Sequence, residues 1–269
     1  MKSQLKNIGI LVNDYRINYR VKDIIKFLLN NRDISNLYVF NLGIELKNKN
    51  KFSKFVSTYF KKGFYAFVSR IFFVFIIQFE KIFLLSENKN HLNTINIKDF
   101  FKEAIHLNQK NNNKFGLLLS KKNLEILQKK KLYLIINFSS QYLKGEILNS
   151  SKHGIISIHN GNPEYIRGGP SSFWEVCNSL KYSGYIIQKL GHGLDNGKIL
   201  ALKKLKTEKF FLRNQNKVYN KSYKHLKKVC EYIIIKNCLP RFIKVKASNK
   251  IYKSPSIKNV FRYIFSSYL

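Results

Sequence analysis

The sequence predicts a Rossmann-like α/β fold, a mostly parallel sheet flanked by helices, followed by a short, mainly helical C-terminal extension. Three stretches carry that expectation. The chain opens strand–helix–strand, with an apolar run at Asn7–Val12 (NIGILV), a helical pattern at Val21–Leu29 and a second run at Asn36–Leu42 (NLYVFNL), which is how a parallel layer begins. Lys131–Asn137 (KLYLIIN) is almost unbroken apolar sequence, as in a strand covered on both faces. Gly154–His159 (GIISIH) instead alternates, so that Ile156 and Ile158 share one face while Ser157 and His159 share the other.

The remaining elements follow in chain order. The turn after the first strand, NDYRINYR, has no glycine, so the phosphate cradle of dinucleotide folds is absent and NAD or FAD enzymes are disfavoured. Residues 51–90 read as a long helical excursion rich in Phe and Lys. Its densest apolar run, Ala66–Leu85, carries Arg70, Gln78, Glu80 and Lys81, which argues against a membrane span. A buried or partner-facing helix fits it better than one lying on a membrane surface. A short strand at Ile95–Ile97, a helix at Asp99–Leu107 and a helix at Lys122–Lys130 come next. After Asn137 the chain turns at Phe138-Ser139-Ser140 into a loop and a short helix. Ser171–Ser179 reads as helix, with Trp174 as core. Tyr185–Leu190 and Ile199–Leu205 read as strands. The composition shifts near Lys206, which divides the chain into a catalytic-type domain at 1–205 and a Lys-rich extension at 206–269. That extension has helices at Lys217–Cys238 and Val260–Leu269.

The formal charge of +34 comes from 41 Lys and only 8 Arg. Arginine is the residue suited to bidentate phosphate and base contacts, so this balance reads as a diffuse cationic surface rather than a nucleic-acid code. The surface should still attract polyanions, membranes and phosphorylated substrates over about 8–10 Å. Cys177, Cys230 and Cys238 are an odd number and show no metal spacing, and the chain opens without an apolar leader. Both point to a reducing, cytoplasmic setting. His153 and His192 lack the partners a metal site needs, so none is expected.

The chemistry gathers in two glycine-bearing loops. His159 ends its strand and is followed by Asn160, Pro163 and Arg167-Gly168. Asp195, the only aspartate after Asp99, lies between Gly193 and Gly197. An imidazole that titrates near neutral pH and a carboxylate to orient it form a proton-handling pair. Taken alone, His159 could be a core histidine, Asp195 a turn residue and Arg167 either an anion grip or a loop brace.

Together, Ser157-Ile158-His159, Pro163, Arg167-Gly168 and Asp195-Asn196-Gly197 resemble the 10-formyltetrahydrofolate-dependent formyltransferase family, as does the segment LIINFSSQYLKGEILNSSKHGIISIH. That family carries Asn-x-His, a Pro-containing loop, Arg-Gly and then Asp-x-Gly. The likeness runs strongest over 132–200, and this chain has Ser157 where the family has Asn. The resemblance implies the formyltransferase fold and transfer of a formyl group from 10-formyltetrahydrofolate to an amine. Ser157 and His159 would stabilise the oxyanion, and Asp195 would orient His159. Phe138, Ser139, Ser140 and Leu143 would lie against the pterin, and Asn160, Pro163, Arg167 and Gly168 would face the substrate. The helical reading after Leu205 lacks the barrel-like domain of tRNA-acting relatives. It therefore favours a small amine, such as a nucleotide-linked amino sugar, over tRNA. Formyl-folate hydrolysis and a catalytically silent, folate- or partner-binding homologue remain as alternatives.

Overall fold

In a computed structural model that describes residues 5–43, 63–83, 93–107, 109–113, 116–192 and 197–268, the two most apolar strands lie side by side within one seven-stranded sheet. These are β1 (Lys6–Val12) and β8 (Leu134–Asn137). Every residue of β8 is buried, as its unbroken apolar sequence requires. β3 (Ile34–Asn41) and β5 (Ile105–His106) extend the sheet beyond β1. β9 (Ile155–His159), β11 (Tyr182–Lys189) and β12 (Lys198–Lys206) extend it beyond β8. The order is β12-β11-β9-β8-β1-β3-β5. The pairs from β5 to β9 are parallel, and β11 runs antiparallel to both β9 and β12. The sheet is thus mostly parallel with one inverted strand.

Helices cover both sides. α1 (Val21–Leu29) buries Val21, Ile24, Ile25 and Leu28, the spacing of a single helical face. Between β1 and α1, β2 (Arg16–Asn18) pairs with β4 (Thr94–Asn96). On the same side of the sheet as α1 lies α5 (Phe211–Lys236), whose Val218, Leu226, Val229, Cys230, Ile233 and Ile234 share one core with β1, β8 and Ile156 of β9. The long helix after Lys206 therefore completes the main hydrophobic layer. The opposite face packs Leu11, Phe40, Ile135 and Ile155 against Leu117 and Leu119 of β7 (Gly116–Leu119) and Leu127 of α3 (Lys121–Lys129). β7 pairs in turn with β6 (Gln109–Asn113).

A third cluster joins α2 (Phe64–Phe83), the short α4 (Phe173–Cys177), the start of α5 and α6 (Ile257–Tyr268). Its polar centre is Glu80 of α2, fully buried. The Glu80 carboxyl accepts hydrogen bonds from the hydroxyls of Tyr263 and Tyr268 and, at 2.7 Å, from the backbone N–H of Leu212. One side chain thereby ties α2, α5 and α6 together.

The expected helix at Asp99–Leu107 is not formed. Ile97–Asp99 makes one 3₁₀ turn capped by the Asn96 side chain, and Ile105–His106 joins the sheet edge as β5. A nine-residue helix gains little in water, whereas the open edge of β3 offers ladder bonds, and Leu107 N–H donates to Asn41 C=O at 2.8 Å. The helical reading of 51–90 holds for α2, and its flanks at 51–62 and 84–90 lie outside the described residues. Among the described residues no helix is long and apolar enough to cross a membrane.

Among the described residues Glu175 on α4 is the other buried carboxyl, 1% exposed with no hydrogen-bond partner for either oxygen. Burial pushes it up from its ordinary 4.5 to about 7. The folded carboxyl holds its proton more tightly than the unfolded one, so stability is greatest below the unfolded value and falls as pH rises toward 7. Glu175→Met should therefore gain on the parent across that window, levelling at roughly 3 kcal/mol above it. Urea midpoints measured against pH check this, and a gain that does not vary with pH would contradict it.

Candidate active site

β9 places the site. Its alternation sends Ile156 and Ile158 to the α1/α5 core, while Ile155 joins the opposite cluster. Ser157 and His159 therefore open on that opposite side, as expected. Both line a cavity of about 280 Å³ with Asn137, Ser139, Ser140, Leu143, Gln188 and Gly197. Ser139, Ser140 and Leu143 thus lie beside Ser157 and His159. Phe138 does not. It packs with the α1/α5 core and stacks on Tyr223 of α5, ring centroids 6.2 Å apart and 7° from parallel. The alternation that brings Asn137 to the cavity turns the next side chain away.

A second cavity of about 520 Å³ lies on the other flank of His159. It is lined by Pro163, Arg167, Ile186, Lys198 and the segment from Phe242 to Ala247. His159, Gln188 and Gly197 line both cavities, so the imidazole stands in their shared wall. Gly161 keeps that position tight, since a Cβ there would come within 3.2 Å of His159 Nε2 and 3.3 Å of the Ile166 carbonyl.

The loop after His159 is fastened to the extension. β10 (Arg167–Gly168) pairs with β13 (Ile251–Tyr252), Arg167 donates to Ser248 C=O at 3.0 Å, and Ser248 N–H donates to Pro163 C=O at 2.8 Å. Arg167 therefore braces the loop while also lining the second cavity. Gly168 sits at φ +90° against the Tyr252 carbonyl rather than in either cavity. Asn160 is held by α5, accepting a hydrogen bond from Ser222 Oγ at 2.9 Å, and lines neither cavity.

Asp195 lies outside the described residues, which resume at Gly197. Gly191 and Gly197, one on each side of that gap, both line the Ser157 cavity. Because β11 runs antiparallel, its loop departs beside Ile156 rather than beside His159.

Two functional candidates emerge that the motif reading did not single out as a pair. Ser157 lies in register between Asn137 on β8 and Gln188 on β11. Residues directly opposite in neighbouring strands point to the same face, so a carboxamide flanks Ser157 on each side. Asn137 Oδ1 accepts hydrogen bonds from Ser139 N–H at 2.9 Å and Ser139 Oγ at 2.7 Å. That holds the head of the Phe138–Leu143 loop. Asn162, by contrast, is directed at Glu164. The sequence signal for Gln188 is a lone amide inside the apolar run YIIQKL.

No family model matches the sequence. Over 75 residues, 28% of this chain, it is 31% identical to the methionyl-tRNA formyltransferase of Lachnospira eligens, and the match spans only 24% of that relative. Solved structures agree along far more of the chain. A 4-N formyltransferase from Francisella tularensis superposes with a TM-score of 0.54 at 15% identity, covering 98% of this chain and 88% of its own. An N-formyltransferase from Helicobacter canadensis, in complex with folinic acid and dTDP-3-aminofucose, gives a TM-score of 0.53 at 13% identity, covering 98% and 81%. The chain has the formyltransferase fold and resembles that family in sequence over one stretch, as its motifs predict.

At Gly168 an added Cβ would stand 2.1 Å from the Tyr252 carbonyl oxygen in a left-handed backbone. Gly168→Ala should break the β10–β13 pairing and cost about 1–3 kcal/mol. Thermal unfolding reads this directly, and an unchanged midpoint would show that the pairing contributes little.

Proposed function

We propose that this protein transfers a formyl group from 10-formyltetrahydrofolate to a small amine, an amino sugar carried on a nucleotide being the best fit, in the cytoplasm. The observation that carries the reading is His159 in the wall between two cavities on a formyltransferase fold. A transfer reaction needs a donor and an acceptor that meet at one catalytic group.

The smaller cavity suits the donor. It is lined by the Ser139–Leu143 loop together with Asn137, Ser157 and Gln188. A flat, hydrogen-bonding ring matches such a lining. The larger cavity suits the acceptor, with Arg167, Lys198 and Lys244 to meet phosphates and Phe242 to offer a ring face.

In the reaction the amine nitrogen bonds to the formyl carbon, the bond from that carbon to the folate nitrogen breaks, and the amine proton is passed on. His159 would hold the formyl oxygen as it gains charge, with the Ser157 hydroxyl as a second donor. Gln188 Nε2 would supply the carboxamide that the family places at Ser157. Asp195 would orient the imidazole and relay the proton from the amine to the departing folate nitrogen. One such preorganised donor is worth about 3–4 kcal/mol.

Incubating the protein with 10-formyltetrahydrofolate and nucleotide-linked amino sugars should release tetrahydrofolate and the formylated sugar. His159→Ala should lose at least about a hundredfold in kcat. Turnover equal to that of His159→Ala would overturn the reading, and formate released without acceptor would indicate hydrolysis.

Gln188→Leu separates the carboxamide role from binding. It should lower kcat on the order of tenfold to a hundredfold with little change in KM. An effect on KM alone would make Gln188 a binding residue.

A further inference from the structure

The outer side of α2 and α6 is far more apolar than a solvated surface needs to be. Ile71, Phe75, Phe79 and Ile82 form one stripe along α2 at helical spacing, and Phe261 and Phe265 continue it on α6. All six are exposed, with Phe75 at 70%, Ile82 at 66% and Phe265 at 61%. The patch is continuous, because the Phe72 and Phe261 rings meet 5.7 Å apart across the two helices. Contiguous apolar surface on this scale marks a place where something other than water sits.

The charges on these helices select the occupant. Lys81 on α2 and Lys258 and Arg262 on α6 are basic, and the only carboxyl on either helix, Glu80, is turned wholly inward. A second copy docked about a two-fold axis would present the same patch. That would set cations against cations with no acid between them, in chains of formal charge +34 each. A bilayer with anionic headgroups needs no matching shape. It accepts aromatic side chains at the headgroup–acyl boundary and attracts basic residues to its phosphates. α2 has 20 residues, about 30 Å of helix, enough to lie along such a surface.

We propose that the exposed face of α2 and α6 rests on an anionic lipid bilayer, with its phenylalanines inserted and its Lys and Arg side chains at the phosphates. This is attachment in the plane of the interface and involves no span. It does not depend on the formyl-transfer reading, because no residue of the face lines either cavity.

Flotation of the purified full chain with phosphatidylcholine vesicles, with and without phosphatidylglycerol, tests it. The protein should float with the anionic vesicles and remain behind with the neutral ones. The double variant Phe75→Ser with Phe265→Ser, both exposed positions, should keep the parent's circular dichroism and bind anionic vesicles at least about tenfold more weakly. Three results would overturn the proposal. One is absence of flotation with anionic vesicles. Another is equal flotation of parent and double variant, which would assign binding to the general lysine charge. The last is a dimer in sedimentation that the double variant dissolves, which would make the patch a self-interface.

Discussion

The period-2 alternation of β9, set between β8 and β11, is the constraint on which the rest of this molecule depends. Ile156 is fully buried in the α1/α5 core. Turning it out would cost about 1.5–3 kcal/mol, and a one-residue slip would also drive Ser157 and His159 into that core. Burial of apolar residues thus fixes where the polar ones point. The same register then sets Asn137 and Gln188 on either side of Ser157. A hydroxyl at that position sits in a row of carboxamides.

The acid distribution follows a related logic. With 15 Asp and Glu against 49 Lys and Arg, each carboxylate removed from the surface leaves that surface more cationic. Among the described residues two are removed completely. Glu80 is satisfied by three donors and joins three helices. Glu175 is pushed toward its neutral form by burial, against a smaller opposing pull from its own backbone N–H. The first can hold helices together, because every oxygen lone pair it uses is matched by an N–H or O–H. The second is a liability that the packing of α4 tolerates.

Much of the fold was legible because the strands that build it are uniformly apolar or strictly alternating. NIGILV, KLYLIIN and GIISIH each allow one burial pattern. What was not legible depended on partners distant in sequence. The run Asp99–Leu107 joins the edge of β3, which no local pattern announces. Phe138 was read with its loop, yet α5 supplies a stacking ring at Tyr223 that draws it to the other face. Gln188 stayed hidden for the same reason, since its meaning appears only when β11 is paired antiparallel to β9. The candidate site is legible as a motif of spaced residues, and its carboxamide flanks only as a register.

The extension after Lys206 changes character once its contacts are traced. α5 closes the main core, and the segment from Phe242 to Ala247 forms a wall of the larger cavity. β13 and Ser248 hold the Pro163–Gly168 loop in place. A composition shift marks a change in surface chemistry, and here the chain crosses it without leaving the hydrophobic core. A loop that lines a cavity must be braced on its far side, or its backbone freedom is lost afresh at each binding event. Arg167 and Gly168 illustrate the arrangement: the guanidinium both faces the cavity and bonds the extension, and the glycine lets the two backbones touch. Variation in residues 242–247 is therefore the route by which this fold could reshape the larger cavity while leaving β9 and its imidazole untouched.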